Sequence, residues 1–303
     1  MPGLRRARRN LRAVPAASVV IVGSANLDQV FRVRAIPAPG ETVLSSGFST
    51  APGGKGQNQA VAAARAGAST AFIGAVGADA SGGVIRASLV EAGVDVALLR
   101  TADAPTGTAL IAVDDSGENS IIVEAGANAL LGRLTDQDAS ALRAAEYLVM
   151  QLEIPLDTVA EAARIARAAA TTVVLNAAPV TTLPEMLLGD VDILVVNEHE
   201  AAFLAQGRDL IGLVPVVIVT HGELGAVLHR AGVADAVVPA PNIEAVDTTG
   251  AGDTFCGALV AALSRGEVLE EAVGFAVTAA SLSVQRAGAV PSIPFRHEID
   301  AAR

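Results

Sequence analysis

Asp247-Thr248-Thr249-Gly250-Ala251-Gly252-Asp253-Thr254-Phe255 decides how the rest of the chain is read. Ahead of it, Val237-Val238-Pro239 and Ile243-Glu244-Ala245-Val246 are β-rich. Behind it, Phe255, Ala258, Leu259, Ala262 and Leu263 recur at helical spacing, which predicts a helix starting near Ala251. A glycine-rich turn feeding a helix start presents unpaired N–H groups and the positive end of a dipole, so Gly250, Ala251 and Gly252 form a candidate anion hole. Asp253, in the first turn, carries a carboxylate that the dipole favours in its ionised form. Anion hole and base so close together point to transfer of a phosphoryl group onto a hydroxyl. The competing reading is a helix start capped by Thr or Asp side chains, with glycines that serve only the turn. A dinucleotide loop fits worse, because Phe255 stands where a third glycine would be needed, and no GxxxxGK[ST] occurs in the chain.

Working outward, 303 residues of which 51% are hydrophobic can build one large α/β domain or two small ones. No apolar run is long enough to span a bilayer, so no membrane association is expected. The single cysteine, Cys256, rules out an internal disulfide and fits a reducing, cytoplasmic setting. The histidines His199, His221, His229 and His297 show no metal-ligand spacing. Net charge is −11, and it becomes −16 once the five arginines of the first twelve residues are set aside. Such a body is not a nucleic-acid binder. Residues 1–17 are expected to be a basic, disordered tail, and 18–303 a single domain. Every other basic residue is arginine, so the lone lysine, Lys55, is conspicuous inside Gly53-Gly54-Lys55-Gly56-Gln57-Asn58, a second glycine-rich turn.

Residues 18–23 read as a buried parallel strand, followed at once by Asn26 and Asp28. Segments 26–50 and 105–125 look like two ribbons that together make a four-stranded lid beside the main sheet. Residues 53–58 open a helix that ends at Gly67. From Asp136 onward helices and strands alternate: helix 136–145, strand Tyr147–Met150, helix 156–170, strands Thr172–Leu175 and Ile193–Val196, a helix from Glu198, strand Val216–Thr220 and a hairpin near 225–238. That order predicts an α/β fold with a mostly parallel central sheet, helices on both faces and a small β-sheet lid. Five strand ends deliver Asn26 and Asp28, Glu153, Asn197, the Thr220-His221-Gly222-Glu223-Leu224-Gly225 turn and Asp253 to one rim, where ligands bind in open α/β sheets.

With these residues in view, the chain resembles the ribokinase-like carbohydrate and nucleoside kinases from about residue 18 to its C-terminus. Gly53 to Gln59 and Asp247 to Phe255 match the two signatures of that family. Met150-Gln151-Leu152-Glu153 and Asn197-Glu198-His199-Glu200 match between them. The second signature marks the superfamily; Asn26, Asp28, the Gly-Gly-Lys-Gly turn and Glu153 point within it to the ribokinases.

The resemblance implies ATP-dependent phosphorylation of D-ribose on its 5-hydroxyl, with Asp253 as general base. It implies that Asn26, Asp28, Gly54, Lys55, Gly56, Gln57, Asn58 and Glu153 hold the sugar. Asn197, Thr220, His221, Gly222, Glu223, Leu224, Gly225 and Gly252 would hold ATP, and Glu200 would organise Mg²⁺ through water. An activating K⁺ would sit on Asp247, Thr249, Ser283, Arg286, Gly288 and Ser292. The lid is expected to pair two subunits into a homodimer, which its apolar Val43, Leu44, Phe48, Ile111, Val113, Ile121 and Val123 permit.

Two departures from relatives stand out. Gly207 to Pro215 is too short for a helix that they carry, and Val277 replaces a polar or ring side chain that some of them offer to adenine. Deoxyribose or another pentose or nucleoside remains open as the acceptor. So does a non-catalytic sugar sensor on the same fold.

Overall fold

The computed structural model describes residues 17–207 and 209–303. The arginine-rich tail expected over 1–17 lies outside the described residues but for Ala17. The chain begins with β1 (Val19–Val22), β2 (Asn26–Arg32), β3 (Gly47–Gly53), α1 (Lys55–Arg65), β4 (Thr70–Gly77), α2 (Ala80–Glu91) and β5 (Leu99–Ala102). β6 (Gly107–Val113) and β7 (Asn119–Glu124) form a hairpin. The alternating stretch then runs α3 (Asp136–Ala144), β8 (Tyr147–Met150), α4 (Leu156–Ala168), β9 (Thr172–Asn176), α5 (Glu185–Gly189), β10 (Ile193–Asn197), α6 (Glu198–Ala205) and β11 (Val216–Thr220). β12 (Ala226–Arg230), β13 (Val233–Val238), α7 (Ala251–Ser264), α8 (Leu269–Ser283), α9 (Ala289–Ser292) and α10 (Arg296–Ala302) complete it. No helix among the described residues is long and apolar enough to cross a membrane.

The main sheet has nine strands in the order β13-β12-β11-β10-β9-β8-β1-β4-β5. It is parallel from β11 to β5, and β12 and β13 close one edge as an antiparallel hairpin. Parallel strands buried on both faces need apolar side chains on both. Val19 and Ile21 of β1 enter the core beneath α1, α2, α7 and α8, whereas Val20 and Val22 enter the one beneath α3, α4 and α5. From β1 the chain goes to β4 on one side and later returns to β8 on the other. The sheet therefore diverges at the carboxyl ends of β1 and β8, where a crevice opens.

A second sheet, in the order β3-β2-β6-β7, forms the lid. Its strands occupy Asn26–Arg32 and Gly47–Gly53, so Val43 and Leu44 lie outside the strands, in the connection between β2 and β3. β2 and β6 pair in parallel, and their pairing starts at Asn26 and Gly107. Asn26 is also opposite Gly53 of β3, so the lid is rooted where α1 begins. The shortened segment after α6 holds a single turn of 3₁₀ helix, Leu210–Gly212, and β10 and β11 still pair over their full length.

Two glycines set how closely the helices approach. At Gly56 a Cβ would stand 2.6 Å from Ser24 N and 2.7 Å from Gly23 Cα, so the start of α1 packs backbone against the turn after β1. At Gly257 of α7 a Cβ would stand 2.5 Å from both Gln59 O and the Ala62 Cβ of α1. Only glycine permits that approach. Replacing a helical glycine by alanine in open space gains about 1 kcal/mol. Here overpacking costs about 1–3 kcal/mol instead. Gly257→Ala is therefore expected to lower the urea unfolding midpoint, and an unchanged or raised midpoint would show that α1 and α7 are not in such contact.

Candidate active site

α7 starts at Gly250, whose φ of 74° lies in the left-handed region and whose helix has no side-chain cap. An Asp side chain, that of Asp247, holds the turn ahead of the helix at Thr249 N–H, but no side chain caps α7 itself. The N–H groups of the first turn are left for other partners. Ala251 N–H reaches Thr248 O at 3.2 Å, a long bond that a phosphoryl oxygen can displace.

Asp253 lies in that first turn and is 6% exposed. Its Oδ2 accepts from Asn58 Nδ2 (2.9 Å) and its Oδ1 from Gln59 Nε2 (2.9 Å). Burial raises its pKa, so the dipole alone does not set its charge as the sequence implied. Lys55 and the Asn58 and Gln59 hydrogen bonds pull in the other direction, towards the ionised form. Lys55 answers the same field. Burial alone would lower its pKa, but Asp253, Glu153 and Glu200 outweigh that and raise it, so the ammonium stays charged.

Two cavities meet at this turn. The larger, about 730 Å³, is walled by Thr220, Gly222, Glu223, Leu224 and Gly225, by the loop Ala240–Ile243, and by Phe255, Val277 and Ser281. The smaller, about 160 Å³, is walled by Lys55, Asn176, Asn197, Glu200, Gly250 and Asp253. Thr220, Thr248, Ala251 and Gly252 belong to both. The N-terminus of α7 is therefore the partition between a nucleotide-sized chamber and a polar one.

The lid side of the crevice holds Asn26, Asp28 and Glu153. Glu153 Oε2 accepts from Ser24 Oγ (2.6 Å) and from Lys55 N–H (3.1 Å). Asn26 Oδ1 accepts from Asn128 Nδ2 (2.7 Å), and Asn128 is anchored in turn on the Ala25 backbone. Asp28 is pushed up to about 7, by burial first and then by Glu153 and Asp253.

Gln57 is fully buried, and neither its Oε1 nor its Nε2 has a hydrogen-bond partner among the described residues. His221 is absent from the larger cavity's wall; its Nδ1 pairs with Glu198 at 2.9 Å.

At the other end of the turn, Asp247 stitches two loops together. Its Oδ1 accepts from Thr249 N–H (2.9 Å) and its Oδ2 from Gly288 N–H (2.7 Å). Burial would raise its pKa, but those hydrogen bonds and Arg32 outweigh burial and keep it low. Ser292 Oγ donates to Ala289 O (2.7 Å), and Arg286 directs its guanidinium outward to Glu298 (2.5 Å). Only the main chain of Arg286 is thus free to face inward. Among the described residues no group of three or more His, Cys, Asp and Glu could hold a metal ion. Glu200 is instead the second member of a capping box with Asn197, their backbone N–H groups each donating to the other's side chain at 2.9 and 2.8 Å.

A doubly wound α/β sheet with an uncapped helix start, a buried carboxylate in its first turn and a nucleotide-sized cavity beside it is the arrangement of a small-molecule kinase. Residues 16–296 match the model of the pfkB family carbohydrate kinases, and the chain belongs to that family. It is 38% identical to the ribokinase of Haemophilus influenzae over 93% of this chain and 96% of that one. It is 37% identical to the ribokinase of Schizosaccharomyces pombe over 94% and 97%. Among solved structures, the ribokinase of Arabidopsis thaliana complexed with ribose and ATP superposes with a TM-score of 0.89. Its identity is 34%, with 95% of this chain and 98% of that chain covered.

Asp28 supplies a pH test. If Asp28 holds a sugar hydroxyl, its ionised carboxylate offers two acceptor oxygens, and protonation turns one of them into a donor. As pH falls through about 7, kcat/KM for the sugar is expected to drop, and it should level off above. Asp28→Asn should lower the alkaline plateau and flatten this limb. A wild-type sugar KM that stays constant between about pH 6 and about pH 8 would exclude Asp28 as an acceptor.

Proposed function

We propose that this carbohydrate kinase transfers the γ-phosphoryl group of ATP to the 5-hydroxyl of D-ribose, giving ribose 5-phosphate and ADP. The observation that carries the proposal is the buried Asp253 at the partition between the two cavities, in a chain similar to ribokinases over nearly its whole length.

In this account ATP occupies the larger cavity. Its base lies against Ile243 and Val277, which offer apolar contact only, and its phosphates run past Asn197 and Thr220–Gly225 to the start of α7. The sugar lies between lid and α1, its hydroxyls held by Asn26, Asp28, Lys55, Asn58 and Glu153 and by the close backbone of Gly54 and Gly56. The 5-oxygen bonds to the γ-phosphorus, the bond to the β,γ-bridging oxygen breaks, and the hydroxyl proton passes to Asp253. Gly250, Ala251 and Gly252 N–H groups and Lys55 balance the charge on the phosphoryl oxygens, which is most of what such a transfer asks of a protein. A positioned base adds about 10²- to 10⁴-fold.

Glu200 fits a Mg²⁺ held through water, because that ion keeps several waters and takes few protein carboxylates beside the phosphates. Bound there, Mg²⁺ would neutralise phosphate charge. Asp247, Ser292 and the carbonyls of Thr249, Ser283, Arg286 and Gly288 fit K⁺, since every donor is oxygen and the one carboxylate stays ionised. Bound there, K⁺ would steady the loop that leads into α7. The lid exposes Leu44, Phe48, Ile121, Ile122 and Val123, which supports a homodimer through the lid that sedimentation equilibrium would read directly. The enzyme would work in the cytoplasm, where its buried Cys256 stays reduced.

The alternative of a non-catalytic sugar sensor leaves the larger cavity and the buried base without a purpose. Purified protein with ATP and Mg²⁺ is expected to release ADP only when D-ribose is added. The product phosphorus should couple to two protons in the NMR spectrum, as on C5. ADP release that ignores D-ribose, or a product coupled to one proton, would overturn the assignment. A higher kcat/KM for 2-deoxyribose than for ribose would move it to the deoxy sugar.

A further inference from the structure

Two buried glutamines form a hydrogen-bonded line that ends on Asp253. Gln59, on α1, and Gln151, just after β8, are both fully buried. Gln151 Nε2 donates to Gln59 Oε1 (2.6 Å). Gln59 Nε2 donates both to Asp253 Oδ1 (2.9 Å) and to Asn176 Oδ1 (3.1 Å). Asn176 Nδ2 donates to Val195 O (3.3 Å).

The direction of every amide in this line is forced. A backbone carbonyl only accepts, so Val195 O fixes the Asn176 amide with its oxygen towards Gln59. That oxygen demands the NH₂ end of Gln59, which turns the Gln59 oxygen to the Gln151 donor. A flipped Gln59 would set its oxygen against both the Asp253 carboxylate and the Asn176 oxygen. Buried acceptors facing acceptors leave desolvated groups unpaired, so one orientation is strongly preferred. Asn58 grips the other Asp253 oxygen, and the two amides together fix the plane of the carboxylate.

We infer that Gln59, held in its donor orientation by Gln151 and Asn176, is a positioning residue for phosphoryl transfer that aims the Asp253 carboxylate at the acceptor hydroxyl and favours its ionised form. The inference rests on Asp253 being the general base. Gln151 never touches Asp253, so a catalytic effect at Gln151 has to pass through Gln59. The charged and titratable groups around Asp253 are Lys55 on α1, Glu153 after β8, Asp28 on β2, Glu200 on α6 and the Cys256 thiol on its own helix. Lys55 is the only cation among these. Removing the Gln59 donor leaves Lys55 and Asn58 to oppose burial and the neighbouring carboxylates.

The test is steady-state kinetics of the full-length enzyme with ATP and D-ribose across pH, for Gln59→Met, Gln151→Glu and Asp253→Asn. Unfolding midpoints and ribose affinity by calorimetry accompany each variant. Gln59→Met keeps the length of the side chain and removes the donor. Gln151→Glu, when ionised, offers only acceptors to Gln59 and so opposes its required orientation. Both are expected to lower kcat near neutral pH by ~10- to ~100-fold. Both should move the acid limb of kcat to higher pH, with partial recovery on the alkaline side, while ribose affinity and the KM for ATP stay within about threefold. If Gln59→Met does not fold, the same readouts on Gln151→Glu decide the matter.

A kcat and acid limb unchanged in the folded variants would overturn the inference. So would a loss equal at every pH and accompanied by weaker binding of both substrates, which is the mark of a structural role. Turnover retained by Asp253→Asn would remove the base and the inference with it. Turnover lost in Asp253→Asn but intact in both glutamine variants would overturn the inference alone.

Discussion

The contact between α1 and α7 at Gly257 is the constraint on which the site depends. With no side chain there, the α7 backbone lies against Gln59 O and Ala62. Asp253 sits one turn earlier on the same helix, and Asn58 and Gln59 sit one turn earlier on α1. Closing the helices at Gly257 therefore brings the carboxylate within hydrogen-bonding distance of both amides. The apolar run of both helices serves this approach, since Ala60, Ala62, Ala63, Ala258, Ala261 and Ala262 are all buried and small. A wall of leucines would pack as stably and hold the two signatures apart.

Electrostatics follow the same economy. The described body of the chain is acidic, yet it has to receive a polyphosphate. In the proposed function that attraction is local, from the N-terminus of α7 and from Lys55. Lys55 is shared between the carboxylates around it, and they keep it charged against the cost of burial. In return it pulls Asp253 towards the ionised form, against the burial that raises its pKa. The lid carboxylate, Asp28, is left with less help and titrates near neutrality. Two aspartates within one crevice thus differ in their surroundings, one gripped by amides and a cation, the other facing fellow acids.

The fold was legible because it is written in short-range signals. Buried parallel strands announce themselves as apolar runs, and β8 and β11 have the boundaries that their sequence predicts. Glycines flanking Lys55 and Asp253 mark turns whose backbone must approach something. What the sequence did not carry was three-dimensional bookkeeping. Gln57 and Gln59 are equally polar and two residues apart, yet Gln59 bonds Asp253 while the buried Gln57 amide has no partner among the described residues. Asn128 and Gln151 act on residues more than ninety positions distant, with no local pattern to mark them. The loop Ala240–Ile243 has no regular structure, and it becomes a cavity wall only because α7 and α8 fold back against it. The bounds of β2 carry no such local mark, because they come from pairing with β3 and with β6, a contact made far along the chain.

The central claim is that a buried carboxylate in a cavity wall is ionised when the enzyme turns over, because Lys55, Asn58 and Gln59 oppose the effect of its burial. Carbon-13 NMR of protein labelled at the aspartate side-chain carboxyl measures this directly, with the Asp253 resonance identified by its loss in Asp253→Asn. The account predicts a carboxyl that titrates above the ordinary aspartate range and is ionised in the mildly alkaline range in which such a transfer proceeds. A resonance that remains that of the protonated acid throughout that range would contradict it.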